Sequence, residues 1–401
     1  MSGQARAGKP SATSAAMAWQ PARETERYEA IDALRGAALF GVLMINLLGD
    51  FRISLFQHIL EFHTDAGWAN RLVDDLAAGL LEFKAFTLFS LLFGVGAAIQ
   101  AERAAPRGVA VTPFLLRRFT VLLLIGLCHM LLIWNGDILA LYGVCGLLLA
   151  PMIGLRAGPL AAIGAGLIAL PNFVPIGIAW PSAAAMRAHA AEAARVYGDG
   201  SFAEIFAFRR YEAWKFILPL LVGSLPRTAG LMFCGAAVWR SGVLRRPQQR
   251  RDLLWRVQVT CGVIGGSVTM VNVFFQSSVG VRLLIPGWAV DPFGNIALAL
   301  AYGAGFLLVV DRAPLLAAAG RMALTNYLAE SVVFGFIFYG YGLGLFGRLG
   351  SAAAAVIGVG IYVAQLYASR WWLERFRFGP CEWLWRSVTY GRRQPMRRTY
   401  G

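Results

Sequence analysis

His129 lies inside an apolar stretch, Gly126-Leu127-Cys128-His129-Met130-Leu131-Leu132-Ile133-Trp134-Asn135-Gly136-Asp137-Ile138-Leu139. An imidazole in such a setting is either a satisfied structural hydrogen-bonder or a proton-transfer group, because its ordinary pKa lies near neutrality. Asn135-Gly136 reads as a tight turn, and Asp137 as the cap of the helix that follows. The same carboxylate could hold an imidazole tautomer. Arg35 is followed eleven residues on by Asn46, and Arg118 at the same interval by His129. Eleven residues at ~100° each return to nearly the same helix face, ~16 Å deeper. Two helices would thus each carry an Arg at one end and a polar group at mid-depth. The bland account is a snorkelling Arg with an interhelical hydrogen bond. The chemical account goes no further at this point than a proton-transfer role for His129, with an Arg and a mid-depth polar group sharing one face on each of the two helices.

Other polar residues interrupt the apolar runs. Asn326 and Glu330 are one turn apart on one helix face, and Glu330 lies too deep to face lipid, so a pairing with Arg227 is expected. Trp134, Asn326 and Glu330 are the candidates for contacting a substrate. His58, Glu61, His63 and Asp65 fall within eight residues, but the spacing of a helical metal site is absent; a solvated loop is the simpler reading, and no metal is expected. Five cysteines form no CxxC pair, and no disulfide is expected. No P-loop, GxSxG elbow or GxGxxG fingerprint occurs, which disfavours ATP-driven transport and serine hydrolysis.

The elements that must position these groups are set by composition. Hydrophobic residues make up 58% of the 401, against a usual ~45–50%, and charged residues only 15% against ~25%. Lipid must therefore solvate much of the chain, which excludes a soluble enzyme, a disordered chain and a disulfide scaffold. Apolar runs fall at Leu34–Leu48, Leu76–Gln100, Phe119–Trp134, Ile138–Leu155, Leu160–Trp180, Phe216–Trp239, Val257–Val279, Phe293–Val310, Met322–Tyr341 and Ala352–Ala368. Strand-type alternation is absent, so the expected class is all-α, a polytopic membrane protein of about ten transmembrane helices. The excess of 37 Lys+Arg over 22 Asp+Glu collects in alternate connections and after Ala368, the positive-inside pattern; both termini are then cytoplasmic. The basic excess fits anionic lipid, and no nucleic-acid partner is expected. Residues 1–27 read as a disordered cytoplasmic tail, 28–369 as the membrane domain and 370–401 as a basic cytoplasmic C-terminal tail. The region 181–215 reads as an outer loop with amphipathic segments. Pro219, Pro226 and Arg227 make the sixth run either a broken crossing or a shorter helix.

Several stretches resemble the YeiB-like family of bacterial membrane proteins. They are Ile31-Asp32-Ala33-Leu34-Arg35-Gly36 with Asn46, Phe89-Ser90-Leu91-Leu92-Phe93-Gly94, and His129 through Trp134-Asn135-Gly136-Asp137-Ile138-Leu139. Further on are Gly320-Arg321-Met322-Ala323-Leu324-Thr325-Asn326-Tyr327 and Phe376-Arg377-Phe378-Gly379-Pro380-Cys381-Glu382-Trp383-Leu384-Trp385-Arg386. The resemblance covers nearly the whole chain and implies about ten helices in a bacterial inner membrane. The Arg35–Asn46 span is also distantly similar to the lysosomal heparan-glucosaminide acetyltransferase family, whose members pass an acetyl group from cytoplasmic coenzyme A to an amino sugar. That family uses a His shortly after the first span, near where His58 falls. The acyltransferase-three family has His where this chain has Asn46.

The YeiB-like resemblance implies no firm activity; the more distant similarity implies a transmembrane acyltransferase. Acyl-CoA would bind by its phosphates at Arg35, Arg117 and Arg118, with His129 or His58 as base assisted by Asn46 and Asp137. The acceptor would be a hydroxyl or amine on a small molecule, glycan or lipid at the outer face, and homo-oligomerisation is compatible with this. A proton-coupled transporter or lipid-handling protein, using Arg35, Arg227, His129 and Glu330 as a proton or anion path, is the rival expectation.

Overall fold

The computed structural model describes residues 28–60, 65–174, 181–276, 287–310 and 312–398, and among them helices are joined by turns and irregular segments, with an isolated Phe376–Arg397 bridge and no strand. Helix α1 (Glu29–Asn46) starts with Glu29 and Asp32 in its first turn, where acids complement the helix dipole, and runs on as a π-helical turn, Leu47–Phe51. After α2 (Leu55–Leu60), the second apolar run forms α3 (Trp68–Leu76) and α4 (Lys84–Ala104). Between these two lie a π-helical turn, Ala77–Leu81, and Phe83 at φ 58. A β-carbon is disfavoured in that left-handed region, so this is where the passage bends. The buried Lys84 ammonium donates across the bend to the carbonyl of Ala78 at 2.8 Å.

Helices α5 (Val111–Leu132) and α6 (Leu139–Leu149) form a hairpin, and α7 (Ala157–Ala169) follows. Helices α8 (Ala183–Asp199) and α9 (Phe202–Glu212) begin at Ser182 and Ser201, the second with a full capping box to Glu204. A π-helical turn, Ala213–Ile217, leads into α10 (Leu218–Arg240). The sixth run is thus one continuous helix. Pro219 lies just after the π-helical turn, and Pro226 lies inside α10, so the helical run passes through both. The chain closes with α11 (Arg251–Gln276), α12 (Gly287–Val309), α13 (Pro314–Arg321), α14 (Ala323–Phe338), α15 (Ser351–Arg375) and α16 (Pro380–Tyr390).

Every apolar run of the sequence falls on a helix, within the described residues. Among the described residues, six helical runs are long and apolar enough to cross a membrane: Glu29–Phe51, Trp68–Arg107, Val111–Leu132, Phe202–Arg240, Pro292–Val309 and Ser351–Arg375. They mark a multi-pass membrane protein. Three other apolar helices, Leu139–Met152, Ala157–Asn172 and Ala323–Phe338, are shorter.

Helix α1 lies at the centre, packed on α4, α13 and α15. It crosses α13 where Gly36 meets Gly320; a β-carbon on either would run into backbone of the other helix, at Leu316 or Asp32. This crossing matters for the site, because Arg35 and Arg321 are the neighbours of those glycines. The 181–215 region is helical and half-submerged: His189, Tyr197, Arg209 and Glu212 are buried in the body of the protein. The expected Arg227–Glu330 pair does not form. Arg227 donates instead to Asn172 Oδ1 at 3.2 Å, holding α10 to the end of the α7 segment.

A candidate active site: an arginine-lined cavity beside a buried histidine–aspartate pair

Where α1, α4, α5, α14 and α16 converge they leave a cavity of about 210 Å³. Its wall on α4 runs from Phe89 to Arg103, ~21 Å of helix rise, so the space is long and narrow. Arg35, Arg103, Arg107, Arg118, Arg321 and Arg386 line it, against the acids Asp32 and Glu382. Counted formally this is +4. The rest of the wall is mostly aromatic and aliphatic, including Phe89, Phe93, Leu92, Leu122 and Leu139. Charge and hydrocarbon in one narrow space suit a ligand with a polyanionic head and an apolar tail.

Each arginine has its own support. Arg35 Nη1 donates to Asp32 Oδ1 at 2.8 Å, one turn back on α1. Arg118 is buried with its guanidinium 3.5 Å from the centre of the Trp385 ring, while Trp385 Nε1 donates to the Arg118 carbonyl at 2.9 Å. This pair stitches α16 to α5 through both backbone and side chain. Glu382 holds the other end of α16. Its Oε1 accepts from the N–H groups of Leu324 and Thr325 at 2.7 and 3.0 Å, and its Oε2 from the Thr325 hydroxyl at 2.5 Å. The carboxylate thus caps the otherwise unpaired start of α14.

Burial raises the Glu382 carboxyl above its ordinary range, and the hydrogen bonds from Thr325 and Leu324 pull against that without cancelling it. A carboxyl raised by folding stabilises most below its unfolded pKa of ~4.3 and loses that contribution as pH rises through the folded value. The apparent melting temperature should therefore fall with rising pH across that interval. The dependence should flatten in Glu382→Gln, which keeps the accepting oxygen; scanning both proteins from acid to neutral pH checks it.

At the far end of the cavity, Ile138, Leu139 and Tyr327 line its wall. These are the neighbours of the polar pair foreseen in the sequence. His129 Nδ1 lies 2.8 Å from Asp137 Oδ1, with both side chains essentially inaccessible. Asp137 Oδ2 accepts from the N–H of Ala140 at 2.7 Å, so one carboxylate both caps α6 and holds the imidazole. Since an ionised carboxylate can only accept, Nδ1 carries the proton and Nε2 presents its lone pair. That Nε2 is buried without a hydrogen-bond partner among the described residues. The Tyr327 ring centre is 5.4 Å from that of His129, and the Tyr327 hydroxyl accepts from the Ile138 N–H at 3.3 Å. His129 and Asp137 are not themselves in the cavity lining but stand behind Ile138, Leu139 and Tyr327. An imidazole held by a carboxylate, with its other nitrogen unpartnered, is the pairing a general base uses.

The remaining candidates scatter. Trp134 is buried against Phe51 at 4.5 Å between ring centres and 6.2 Å from His129, supporting the pair without lining the cavity. Arg117 faces away from Arg118, into a separate groove beside α16. His58 lies 3.5 Å from Glu82 on the partly exposed side of the α3–α4 bend. Glu61 and His63 lie outside the described residues; Asp65 pairs with Arg52 at 2.5 Å. Asn46 ends α1 just before the π-helical turn and makes no bond to His129. Asn326 donates to Ser369 Oγ at 3.0 Å and to the Ala319 carbonyl at 3.3 Å, an interhelical tie among α13, α14 and α15. Glu330 is buried one turn on and is not in the cavity wall.

A second cluster went unforeseen. Glu212 binds His189 Nε2 at 2.7 Å through one oxygen; the other accepts from Asn135 Nδ2 at 2.8 Å and from the Tyr197 hydroxyl. Asn135 and Asp137 therefore fasten the same short loop to two histidine–carboxylate pairs. Glu212 ends α9 immediately before a π-helical turn, and Asp50 lies within another, packed on Gly136. Such turns re-aim side chains and recur at functional sites.

Comparison with known proteins adds three findings. A family model described as a protein of unknown function, DUF418, matches residues 238–392, the segment that carries Arg321, Glu382, Trp385 and Arg386. The chain is 33% identical over 405 residues to the uncharacterized protein YxaH of Bacillus subtilis (strain 168), covering 94% of this chain and 98% of that protein. It is 29% identical over 405 residues to the uncharacterized protein YeiB of Escherichia coli (strain K12), covering 91% of this chain and 96% of that protein.

Proposed function

The chain belongs to the YeiB-like family of bacterial proteins, and from that footing we propose that it is a membrane-embedded acyltransferase. Its donor is acyl-CoA entering from the cytoplasm, and its acceptor a hydroxyl or amine at the outer face. The observation that supports this is the cavity, whose arginines and apolar wall extend to Ile138, Leu139 and Tyr327, the residues packed beside His129 and Asp137 just behind that wall. A coenzyme A head carries about four negative charges in its phosphates, against the formal +4 of the lining. In the reaction, His129 Nε2 takes the proton of the acceptor as its oxygen or nitrogen bonds to the thioester carbonyl carbon. The carbon–sulfur bond breaks, and the proton passes from the imidazolium to the departing thiolate. Asp137 steadies the imidazolium between the two transfers.

In this reading the chain crosses the bacterial inner membrane about ten times with both termini in the cytoplasm. The shorter apolar helices and α11 supply the crossings beyond the six long ones. The paired clusters around His129 and His189 favour one alternative, proton-coupled transport of a small molecule. A panel of acyl-CoAs tested by thermal unfolding of the purified protein, with free CoA and ATP as controls, separates the two. One thioester should raise the apparent melting temperature by several degrees, since a ligand bound only by the folded state stabilises it. No shift with any thioester, in protein shown to be folded, would point to transport.

A further inference from the structure

Helix α16 has two distinct faces. Glu382, Trp385 and Thr389 point inward and are buried, whereas Leu384 and Val388, one turn apart, are about half exposed. The outward face walls a shallow groove of about 600 Å³, whose lining includes Arg117, Arg392 and Arg393 together with Trp383, Leu384 and Val388. No acid lines it. Arg117 comes from α5 and the other two arginines from the segment after α16. Gly391 ends the helix at φ 67, and a β-carbon there would stand 2.9 Å from the Arg117 guanidinium. The chain thus brings like charges from distant segments together over a residue small enough to let them meet. Arg117 and Arg393 are both exposed and present this charge outward, where a counter-ion can reach it.

The place says what that counter-ion is. Helix α16 begins five residues after α15, a helix long and apolar enough to cross a membrane, so the groove lies at the bilayer surface. Guanidinium groups suit phosphate, and Leu384, Val388 and Trp383 suit acyl chains. The Arg393 guanidinium lies 5.7 Å from the Trp383 ring centre, joining the two chemistries. We propose that this groove docks an anionic phospholipid of the surrounding leaflet. Its phosphate sits between Arg117 and Arg393, and its chains lie along Leu384 and Val388. Because the inward face of the same helix carries Trp385 and Arg386 into the cavity, the bound lipid braces the cavity wall. This holds whether the cavity serves acyl transfer or transport.

The test uses the full chain in nanodiscs of phosphatidylcholine alone or with phosphatidylglycerol, following amide hydrogen exchange over residues 380–393. Phosphatidylglycerol should slow exchange there several-fold, and R117Q/R393Q should abolish the difference while leaving the phosphatidylcholine pattern unchanged. Should the double variant fail to fold, R393Q alone, at an exposed position, should reduce the difference. Equal exchange in the two bilayers would overturn the proposal, as would a lipid effect that survives both variants. Equal protection by glycerol phosphate in detergent would also overturn it, by revealing a free-anion site.

Discussion

His129→Gln should lower the rate of acyl transfer by ~10²–10⁴-fold while leaving the stabilisation by acyl-CoA unchanged. Both halves of that expectation come from the geometry. The imidazole nitrogen that would act is the one without a partner, and the glutamine amide can still donate to Asp137 in place of Nδ1, though the ring contacts with Trp134 and Tyr327 are lost. The arginines that would hold the donor stand in the cavity wall, on other turns and other helices. Asp137→Asn is the companion variant. An asparagine oxygen can still accept from the Ala140 N–H and cap α6, but the charge that steadies an imidazolium is gone. It should slow transfer without unfolding the protein. Asp137→Ala should in addition cost ~1 kcal/mol through the lost cap. Single-turnover assays with the thioester identified by thermal shift, run beside unfolding curves of each variant, distinguish these outcomes. Coupled uptake lost in His129→Gln, with no acyl product in the parent protein, would assign the same pair to transport.

The helices were legible in the sequence because lipid allows little else: each apolar run had to satisfy its own backbone, and each did so as a helix. The His129–Asp137 pair was legible for a local reason. The two residues flank one tight turn, so the hairpin of α5 and α6 brings them together whatever the rest of the chain does. Arg35 and Arg118 were found by spacing, but Arg117 was grouped with them wrongly in direction. Adjacent residues on a helix point ~100° apart, and only one of the two can face the cavity. Arg321, Glu382, Trp385 and Arg386 stood in stretches marked only by family resemblance. Their role depends on α16 folding back onto α5 and α14, a contact between segments that no local pattern encodes. The Glu212 cluster was hidden for the same reason. Its members read as ordinary loop polarity until α8 and α9 bury them against Asn135. Pro219 and Pro226 left the sixth run open between a broken crossing and a shorter helix, because sequence does not reveal the π-helical turn at Ala213–Ile217 after which the helix continues through both.

Arg35 and Asp32 make the sharpest test of what the cavity holds, because they should move ligand affinity in opposite directions. They form an ion pair at 2.8 Å, and both line the cavity. A phosphate-bearing ligand competes with Asp32 for the same guanidinium. Arg35→Ala removes a charge-assisted contact of ~1.5–3 kcal/mol, which corresponds to roughly 10- to 100-fold weaker binding of the acyl-CoA. Asp32→Asn removes the competing anion, keeps the side chain's shape, and should tighten binding several-fold. The increments should shrink as salt is raised, since both residues are partly exposed. A purely structural pair gives a different pattern: either substitution would lower thermal stability, and neither would change a ligand-induced shift in a charge-dependent way. Titrating the same acyl-CoA into the parent and the two variants at low and high salt reads all four quantities at once. Opposite shifts at low salt that converge at high salt are the result expected of an anion-binding mouth; parallel shifts would remove the arginines from the donor site.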